Sequence, residues 1–524
     1  MRHIGEIPFF NARYYPNKRA LLDPPKAYTW KEVNERTNRL AHALIGLGCR
    51  KGDRVAILAY NSSEYVESIF ACAKADLIFV PLNFRLSPVE LSHILHDSTP
   101  KALLFGEEFS DMIAALKDTF PLSFIVIGEE AGEVMAYETL ITSGSSAEPS
   151  ERGIRVDEND PAEILYTSGT TGLAKGVMHH HRARLEGVMA HVLYGRLNHD
   201  DVHLVNVPAL FHAAGYAWLL ANTYVGATIV VSKLRGFDPE VILNTIQEES
   251  VTNFHMVPIT VMALLDFPGT GNYDLSSLRL IYYATAPMPA GPLRKALGIF
   301  GNIFMQPYGL TEAGPTVTYL SKKDHDIGGL SDAEADKKLR SCGRPVYGRL
   351  VKLVDEKDEE VSPHSIGEII VKSPDIMDGY WNNEEETKKA IKDGWLYTGD
   401  LGIRDEDYYI TLVDRKKEMI ISGGENIYPA ELERVIYEHP AVAECAVIGV
   451  PDERWGESVK ALVVVRKGKQ VTEKDIQEFC KQSLASYKKP KSVEFVSELP
   501  RNPQGKIMKK ILRKRYWAGS ERDI

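Results

Sequence analysis

Cysteine is scarce: Cys49, Cys72, Cys342, Cys445 and Cys480 are the only five in 524 residues. They are odd in number, scattered and without metal-knuckle spacing. Neither a disulfide framework nor a cysteine metal site is expected, and a reducing compartment fits. Long apolar runs are missing as well; none approaches the ~20 residues that span a bilayer, so no stable membrane insertion is expected. Positive charge is not in excess. The chain has 62 Lys and Arg against 72 Asp and Glu, a net charge of −10, which argues against nucleic-acid binding as the main function. Met1–Phe10 carries Glu6 and Pro8 where a secretory leader would be uninterrupted and apolar. Glu521-Arg-Asp-Ile524 is not a peroxisomal address. A cytoplasmic protein is the expectation. Internal repeats and low-complexity segments are also missing.

The chain is too long for one ordinary core and predicts two or three domains. Apolar residues make up 44% and charged residues 26%, an ordinary globular composition. Strand-like runs alternate with helical patterns: Val55–Ala59, the helix Ser62–Lys74, Leu77–Val80, Ala102–Phe105, Phe124–Ile127, Thr228–Ser232 and Leu280–Tyr283. This rhythm predicts an α/β fold of doubly wound parallel sheets, with ligands at the carboxyl ends of the strands. Around Val346–Val371 short strands (Leu350–Val354, Gly367–Val371) and charged turns predict a small antiparallel β subdomain. Beyond Asp414-Arg-Lys-Lys-Glu418 come a helix (Pro429–Glu438), strands (Ala446–Val450, Lys460–Val465), a helix (Glu473–Leu484) and a basic tail. These predict a small α+β domain over 417–524 after a large one over 1–416.

The richest stretch is Tyr166-Thr-Ser-Gly-Thr-Thr-Gly-Leu-Ala-Lys-Gly176. An apolar run, Pro161–Tyr166, leads as a strand into a turn of hydroxyls and glycines. Glycines let backbone N–H groups approach an anion, Ser168, Thr170 and Thr171 donate to its oxygens, and Lys175 adds charge. The spacing is not the P-loop pattern, because Lys175 follows Gly172 by three residues and precedes Gly176.

This loop resembles the signature loop of the adenylate-forming superfamily: acyl- and aryl-CoA synthetases, adenylation domains and beetle luciferases. Further motifs follow in that family's order over nearly the whole chain. The resemblance implies that a carboxylate is activated with Mg·ATP as acyl-AMP and that the acyl group then passes to a thiol. It implies phosphate contacts from Thr167, Ser168, Gly169, Thr170, Thr171, Gly172 and Lys175. Arg279–Met288 is similar to the adenine-binding strand and turn, placing Ala284, Thr285, Ala286 and Pro287 there, with Ala284 where the family often has Gly. Gln306-Pro-Tyr-Gly-Leu-Thr-Glu-Ala-Gly314 puts Tyr308 on adenine, Thr311 at the α-phosphate and Glu312 on Mg²⁺. Asp400 and Arg415 take the ribose positions. Pro208-Ala-Leu-Phe-His-Ala-Ala-Gly215 places His212 beside the carboxylate; read alone, such a His is equally a core residue. Ala213, Ala214, Gly215, Ala286, Gly309 and Ala313 are the expected acyl-binding residues.

Lys417 takes the family's hinge position. The loop Gly423-Gly-Glu425 resembles the one that lines the thiol tunnel, and the Pro-x-x-Pro-x-Gly-Lys frame ending at Lys506 marks the catalytic lysine. A mobile ammonium there would stabilise charge on the α-phosphate and the leaving pyrophosphate. Arg85, Trp455, Tyr487, Lys489 and Lys491 resemble CoA-binding segments of aryl-CoA ligases, although solvated surface charge explains them equally well. The expectation is an AMP-forming acyl-CoA synthetase for a monocarboxylic acid, medium-chain or aryl, since no Arg or Lys in the short motifs pairs a second carboxylate. The alternatives are loading of a carrier-protein thiol and a nucleotide sensor without catalysis; no feature demands luciferase-type oxygen chemistry. Homodimers are common in the superfamily. Pocket shape would also depend on the helix after the phosphate loop, around Met189–Leu193.

Overall fold

The computed structural model describes residues 1–129, 134–168, 174–232, 236–286, 288–422, 425–452, 454–484, 488–501 and 506–517, and the side chains of these except Ser168 and Ser483. The chain forms two compact units: Met1–Val351 with Val371–Leu396, and Lys352–Ile370 with Tyr397–Ile524. Lys417 falls inside the second unit.

In the first unit one sheet runs in the order Arg344–Pro345, Thr318–Leu320, Phe304–Tyr308, Leu280–Tyr283, Asn253–Met256, Val202–Val205, Thr228–Val231, Arg19–Asp23, Lys26–Thr29. From Phe304–Tyr308 to Arg19–Asp23 every pairing is parallel. Alternate side chains cover the two faces. Leu204, Val230, Phe254, Ile281 and Phe304 pack on the helices Pro239–Glu249 and Ala290–Phe300. Val205, Ile229, Tyr282 and Met305 face the helix Ala213–Tyr224. Burial on both faces is why these strands read as continuous apolar runs, and each large side chain so covered contributes about 1.5–3 kcal/mol.

The other sheet of this unit runs Gly379–Tyr380, Ala174–His180, Pro161–Ser168, Ile78–Pro81, Arg54–Leu58, Ala102–Gly106, Ser123–Ile127, Met135–Ala136. One contiguous core joins the inner faces of both sheets through the helices Trp30–Gly46, Ser63–Lys74 and Ala213–Tyr224. The helix Ser63–Lys74 is buried on all sides and starts where the Ser62 side chain accepts from Tyr65 N. The phosphate-loop strand departs from simple doubly wound order. Pro161–Ser168 is parallel to Ile78–Pro81 on one side, but its other neighbour is the antiparallel strand Ala174–His180. The described residues that flank the signature loop are therefore antiparallel partners, Ser168 opposite Ala174, and the following helix, His181–Gly195, begins only after the return strand.

Short strands Leu350–Val354, Ile366–Lys372, Trp395–Arg404 and Ile410–Arg415 form the expected small sheet, the last two antiparallel. In the second unit the long hairpin Val442–Asp452/Gly456–Val465 carries Ser492–Phe495 in parallel. Cys445 and Val447 pack against the helices Pro429–Tyr437 and Glu473–Ser483. Ala446 and Ile448 face Leu499 and Leu512 on the opposite side.

Candidate active site

In the first unit the order of strands explains where chemistry collects. After Arg19–Asp23, the chain returns to the nine-stranded sheet's parallel core at Val202–Val205, then continues to Thr228–Val231 on one side and Asn253–Met256 on the other. The carboxyl end of Val202–Val205 is thus a topological switch point, where a crevice opens for ligands. His212 lies on the loop leaving that end. Ala284–Ala286 and Gly309–Glu312 leave the carboxyl ends of Leu280–Tyr283 and Phe304–Tyr308, two strands of the same parallel core.

His212 is half-buried and caps the helix Ala213–Tyr224: its Nδ1 accepts from Ala214 N at 3.2 Å. That bond leaves the ring proton on Nε2, so a neutral His212 presents a donor. Burial pushes its pKa down to about 4, so the ring is neutral near pH 7. Gly215 serves the loop's closure. A Cβ there would stand 2.5 Å from the carbonyl oxygens of Pro208 and Ala209. Ala213 is buried and Ala214 half-buried.

The turn at 284–286 stores strain. Thr285 adopts φ +74°, an unusual conformation for a β-branched residue and one that clusters at ligand sites. Thr285 and Ala286 are exposed and Ala284 is buried. Tyr308 is buried at its strand's end, and Thr311 and Glu312 stand half-buried in a 3₁₀ turn. Gly309 admits the close return of the chain, since a Cβ would meet Pro315 O at 2.5 Å. Ala313 is fully buried.

The hairpin register brings Thr167 opposite Lys175 and Ser168 opposite Ala174. Lys175 pairs with Glu386, and its Nζ lies 5.1 Å from the centre of the Tyr380 ring. Lys175 first, and Lys389 second, hold the Glu386 carboxyl down at about 2. Tyr380 Oη donates to Glu312 Oε1 at 3.1 Å, and Met377 N donates to Glu312 O at 2.8 Å. The lysine of one motif and the carboxylate of another are therefore joined through Tyr380. Deeper, Glu163 on the phosphate-loop strand pairs with Arg184 and accepts from Tyr216 Oη at 3.2 Å. Tyr216 lies one helical turn past His212, so this network fixes the His212 helix against the hairpin. Tyr380, Glu386 and Glu163 carry no sequence signal of their own; only the pairing Tyr380↔Val177 reveals the first two. Arg85 is exposed in this unit, its guanidinium 5.4 Å from the Phe84 ring centre. In the helix His181–Gly195, Met189 and Leu193 face solvent, while Val188 and His191 are buried. Gly169, Thr170, Thr171, Gly172 and Pro287 lie outside the described residues, as does the Ser168 side chain.

The second unit gathers the remaining polar residues. Asp400 and Arg415 are cross-strand partners, with Arg415 Nε 2.6 Å from Asp400 Oδ1. Asp400 is 6% exposed. Lys506 sits within the fields of Arg415, Glu418 and Asp400. Burial of its ammonium, then the Arg415 charge, lower its pKa. Lys417 is pushed down to about 8 by burial, then by Arg415, with Lys506 and Arg513 adding to it. Asp414 Oδ2 accepts from Ala430 N at 2.8 Å at the start of the helix Pro429–Tyr437. Lys509 pairs with Glu433 at 2.8 Å and Glu418 at 3.3 Å. Glu425 is exposed and pairs with Ser422, framing a hairpin whose Gly423 and Gly424 lie outside the described residues, as does Tyr487. Trp455 is stacked by Arg454 at 4.7 Å and approached by Lys491 Nζ at 5.7 Å. Lys489 is half-buried.

Comparison with known proteins agrees with this layout. Residues 9–381 match the AMP-binding enzyme family, and residues 431–506 match the AMP-binding enzyme C-terminal domain. The chain belongs to this family, the adenylate-forming superfamily. A feruloyl-CoA synthase of an Amycolatopsis species is 38% identical over 98% of this chain and 99% of its own. The fatty acid–[acyl-carrier-protein] ligase ScoC of Streptomyces coeruleorubidus is 36% identical over 100% and 98%. Among solved structures, the anthranilate CoA ligase AuaEII in complex with anthranoyl-AMP matches with a TM-score of 0.87 at 29% identity, over 98% of this chain and 97% of that one. Within the family the protein is an AMP-forming acyl-CoA synthetase, with ATP and CoA as substrates.

Proposed function

We propose that the acid is a monocarboxylic acid, medium-chain or aryl, and that the residues assembled above carry both half-reactions. The supporting observation is the convergence in the first unit: His212, Thr285 and Glu312 leave the carboxyl ends of strands in one parallel core, and Lys175 reaches Glu312 through Tyr380. The aryl alternative gains support from the relatives named for feruloyl and anthranilate substrates.

In the first step a carboxylate oxygen attacks the α-phosphorus, the bond to the bridging oxygen breaks, and pyrophosphate leaves. His212 donates its Nε2–H to the carboxylate and keeps it in line. Thr167, the 168–172 loop and Lys175 hold the phosphates, Tyr308 and residues 284–287 hold adenine, and Thr311 touches the α-phosphate. Asp400 accepts from the ribose hydroxyls beside Arg415. Lys506 stabilises charge on the α-phosphate and leaving group.

Glu312 fits a magnesium ion. Mg²⁺ favours one or two carboxylates completed by phosphate oxygens and water. Among the described residues no group of three or more His, Cys, Asp or Glu could hold an ion. When bound it would neutralise charge on the pyrophosphate.

In the second step the thiol sulfur attacks the acyl carbonyl, its proton passes to solvent, and AMP leaves. The segment after Lys417 turns between the steps, which sets the functional division at 416/417. Gly423, Gly424 and Glu425 then serve the thiol path, and Arg85, Trp455, Tyr487, Lys489 and Lys491 hold CoA. Cytoplasmic location belongs to the same proposal, supported by five buried free thiols, as does a homodimer.

The test is ATP-dependent pyrophosphate release across straight-chain, branched and aromatic acids, with and without CoA. CoA-dependent turnover peaking on one class supports the reading. Release without any need for CoA favours a carrier-protein thiol, the reading suggested by the ScoC relative. No release with any acid contradicts both.

A further inference from the structure

The strand Asn253–Met256 carries a side chain that the assigned chemistry does not use. His255 is 5% exposed, yet neither of its ring nitrogens has a hydrogen-bond partner among the described residues. Its strand neighbours show what a satisfied group looks like on the same face. Asn253 Oδ1 accepts from His203 Nδ1 at 2.7 Å, and its Nδ2 donates to Asn222 Oδ1 at 3.1 Å. Two residues further, toward the carboxyl end, that network stops and His255 begins.

The surroundings of His255 are aromatic. The parallel register sets it beside Tyr282, whose hydroxyl is also buried without a partner among the described residues. The Trp218 ring stands edge-on to His255 at 6.1 Å and stacks on Tyr282 at 3.4 Å. The His191 ring is tilted against Trp218, with ring centres 3.9 Å apart. His255 is also within electrostatic range of His212: a charge on His212 disfavours protonation of His255, after burial, the larger cause. The sheet thus presents an unsatisfied imidazole, flanked by flat rings, on the strand next to Val202–Val205, whose carboxyl end leads to His212, and against Trp218 of the helix that His212 caps.

A buried polar group is normally bonded, because leaving it unpaired costs free energy. A neutral imidazole offers one N–H donor and one lone pair. A hydroxyl, which both donates and accepts, matches both. A second carboxylate would require a cation there, and a plain alkyl chain would leave both nitrogens unmet.

We propose that His255 is a specificity-determining residue that hydrogen-bonds a hydroxyl on the ring of an aromatic acid whose carboxylate lies at His212. This rests on the acid-activation reading and narrows its substrate to hydroxyaryl monocarboxylic acids. A site built to bond a hydroxyl discriminates strongly against the analogue lacking it, whereas an apolar pocket discriminates weakly.

The test uses the full chain and matched acid pairs: 4-hydroxycinnamate with cinnamate, 3-hydroxybenzoate with benzoate, and octanoate. Pyrophosphate release gives kcat/KM for each. The expected result is a preference of about 30-fold or more for at least one hydroxylated member over its partner. His255→Leu should collapse that ratio at least about tenfold, and His255→Gln, which keeps a donor and an acceptor, should retain most of it. The ratio is internal to each variant, so a general loss of folding does not move it. Turnover of plain and hydroxylated acids at equal efficiency, or a His255→Leu ratio equal to wild type, overturns the proposal while leaving the ligase reading intact. Wild-type release with none of these acids, but with other acids, also overturns it; no release with any acid removes the reading on which it rests.

Discussion

In the first unit His179, His181, His191, His203, His255 and His325 are buried, and burial is the leading cause that drives each below the ordinary imidazole range. In the second unit the crowded groups are cations and carboxylates. Lys417 and Lys506 are lowered by burial and by Arg415, while Glu433 and Glu418 raise Lys509 against its own burial. The first unit holds neutral donors and acceptors around the proposed acyl subsite. The second holds lysines and arginines within a lattice of acids. Binding an organic acid calls for shape and neutral hydrogen bonds, whereas stabilising a pentavalent phosphorus calls for charge. In the proposed mechanism the acid's carboxylate falls to the first unit and the catalytic lysine to the second.

The largest expected effect comes from removing the cation. Lys506→Ala should slow acyl-adenylate formation about 100- to 1,000-fold but largely spare thioester formation from supplied acyl-AMP. Rapid-quench assays of each half-reaction check this, and equal loss of both would dissolve the functional contrast between units.

Next is the carboxylate lattice. Lys509→Met would leave the half-buried Glu433 and Glu418 without that partner, at a cost of about 1–3 kcal/mol. Amide exchange should accelerate across the strand Val442–Asp452 and not across Leu280–Tyr283. Uniform acceleration would show one cooperative body.

The smallest effect concerns acid. An unfolded histidine takes up its proton near 6.5, whereas His181 does so near 3 and His203 and His325 near 4 in the fold. Between those values the unfolded chain binds more protons, so stability rises with pH and is lost as pH falls below 6.5. The first unit's Tm should drop about 5–10 °C between pH 7 and pH 5. A drop confined to the second unit would reverse the comparison.

Much of this was legible in the sequence where burial wrote apolar runs. Leu280–Tyr283 is a strand as expected, and Ser63–Lys74 starts one residue after the expected boundary. The run Ala446–Val450 revealed only the middle of Val442–Asp452, because hairpin pairing, rather than apolar content, extends it through Glu444 and Pro451. The return strand Ala174–His180 gave no apolar signal, since its Lys, Gly and His residues take their conformation from the partner strand. Motif residues were readable because their spacing is local. Tyr380, Glu386 and His255 were not: Tyr380 and His255 take their positions from pairings across the sheets, and Glu386 from its ion pair with Lys175. The acyl-side small residues were read by type alone. Gly215 and Gly309 prove to be sites of close backbone approach, and Ala313 is fully enclosed.

The most direct test of the division of labour is the pH profile of single-turnover acyl-adenylate formation. With His212 titrating near 4 and Lys506 lowered from the usual lysine range, the rate should be flat through pH 6.5. It should fall on the alkaline side before pH ~10.5, the ordinary lysine value, and Lys506→Ala should abolish that limb. An acid limb near pH 6.5 that disappears in His212→Gln would make His212 a titrating base and contradict the assignment of neutral binding to one unit and charge to the other.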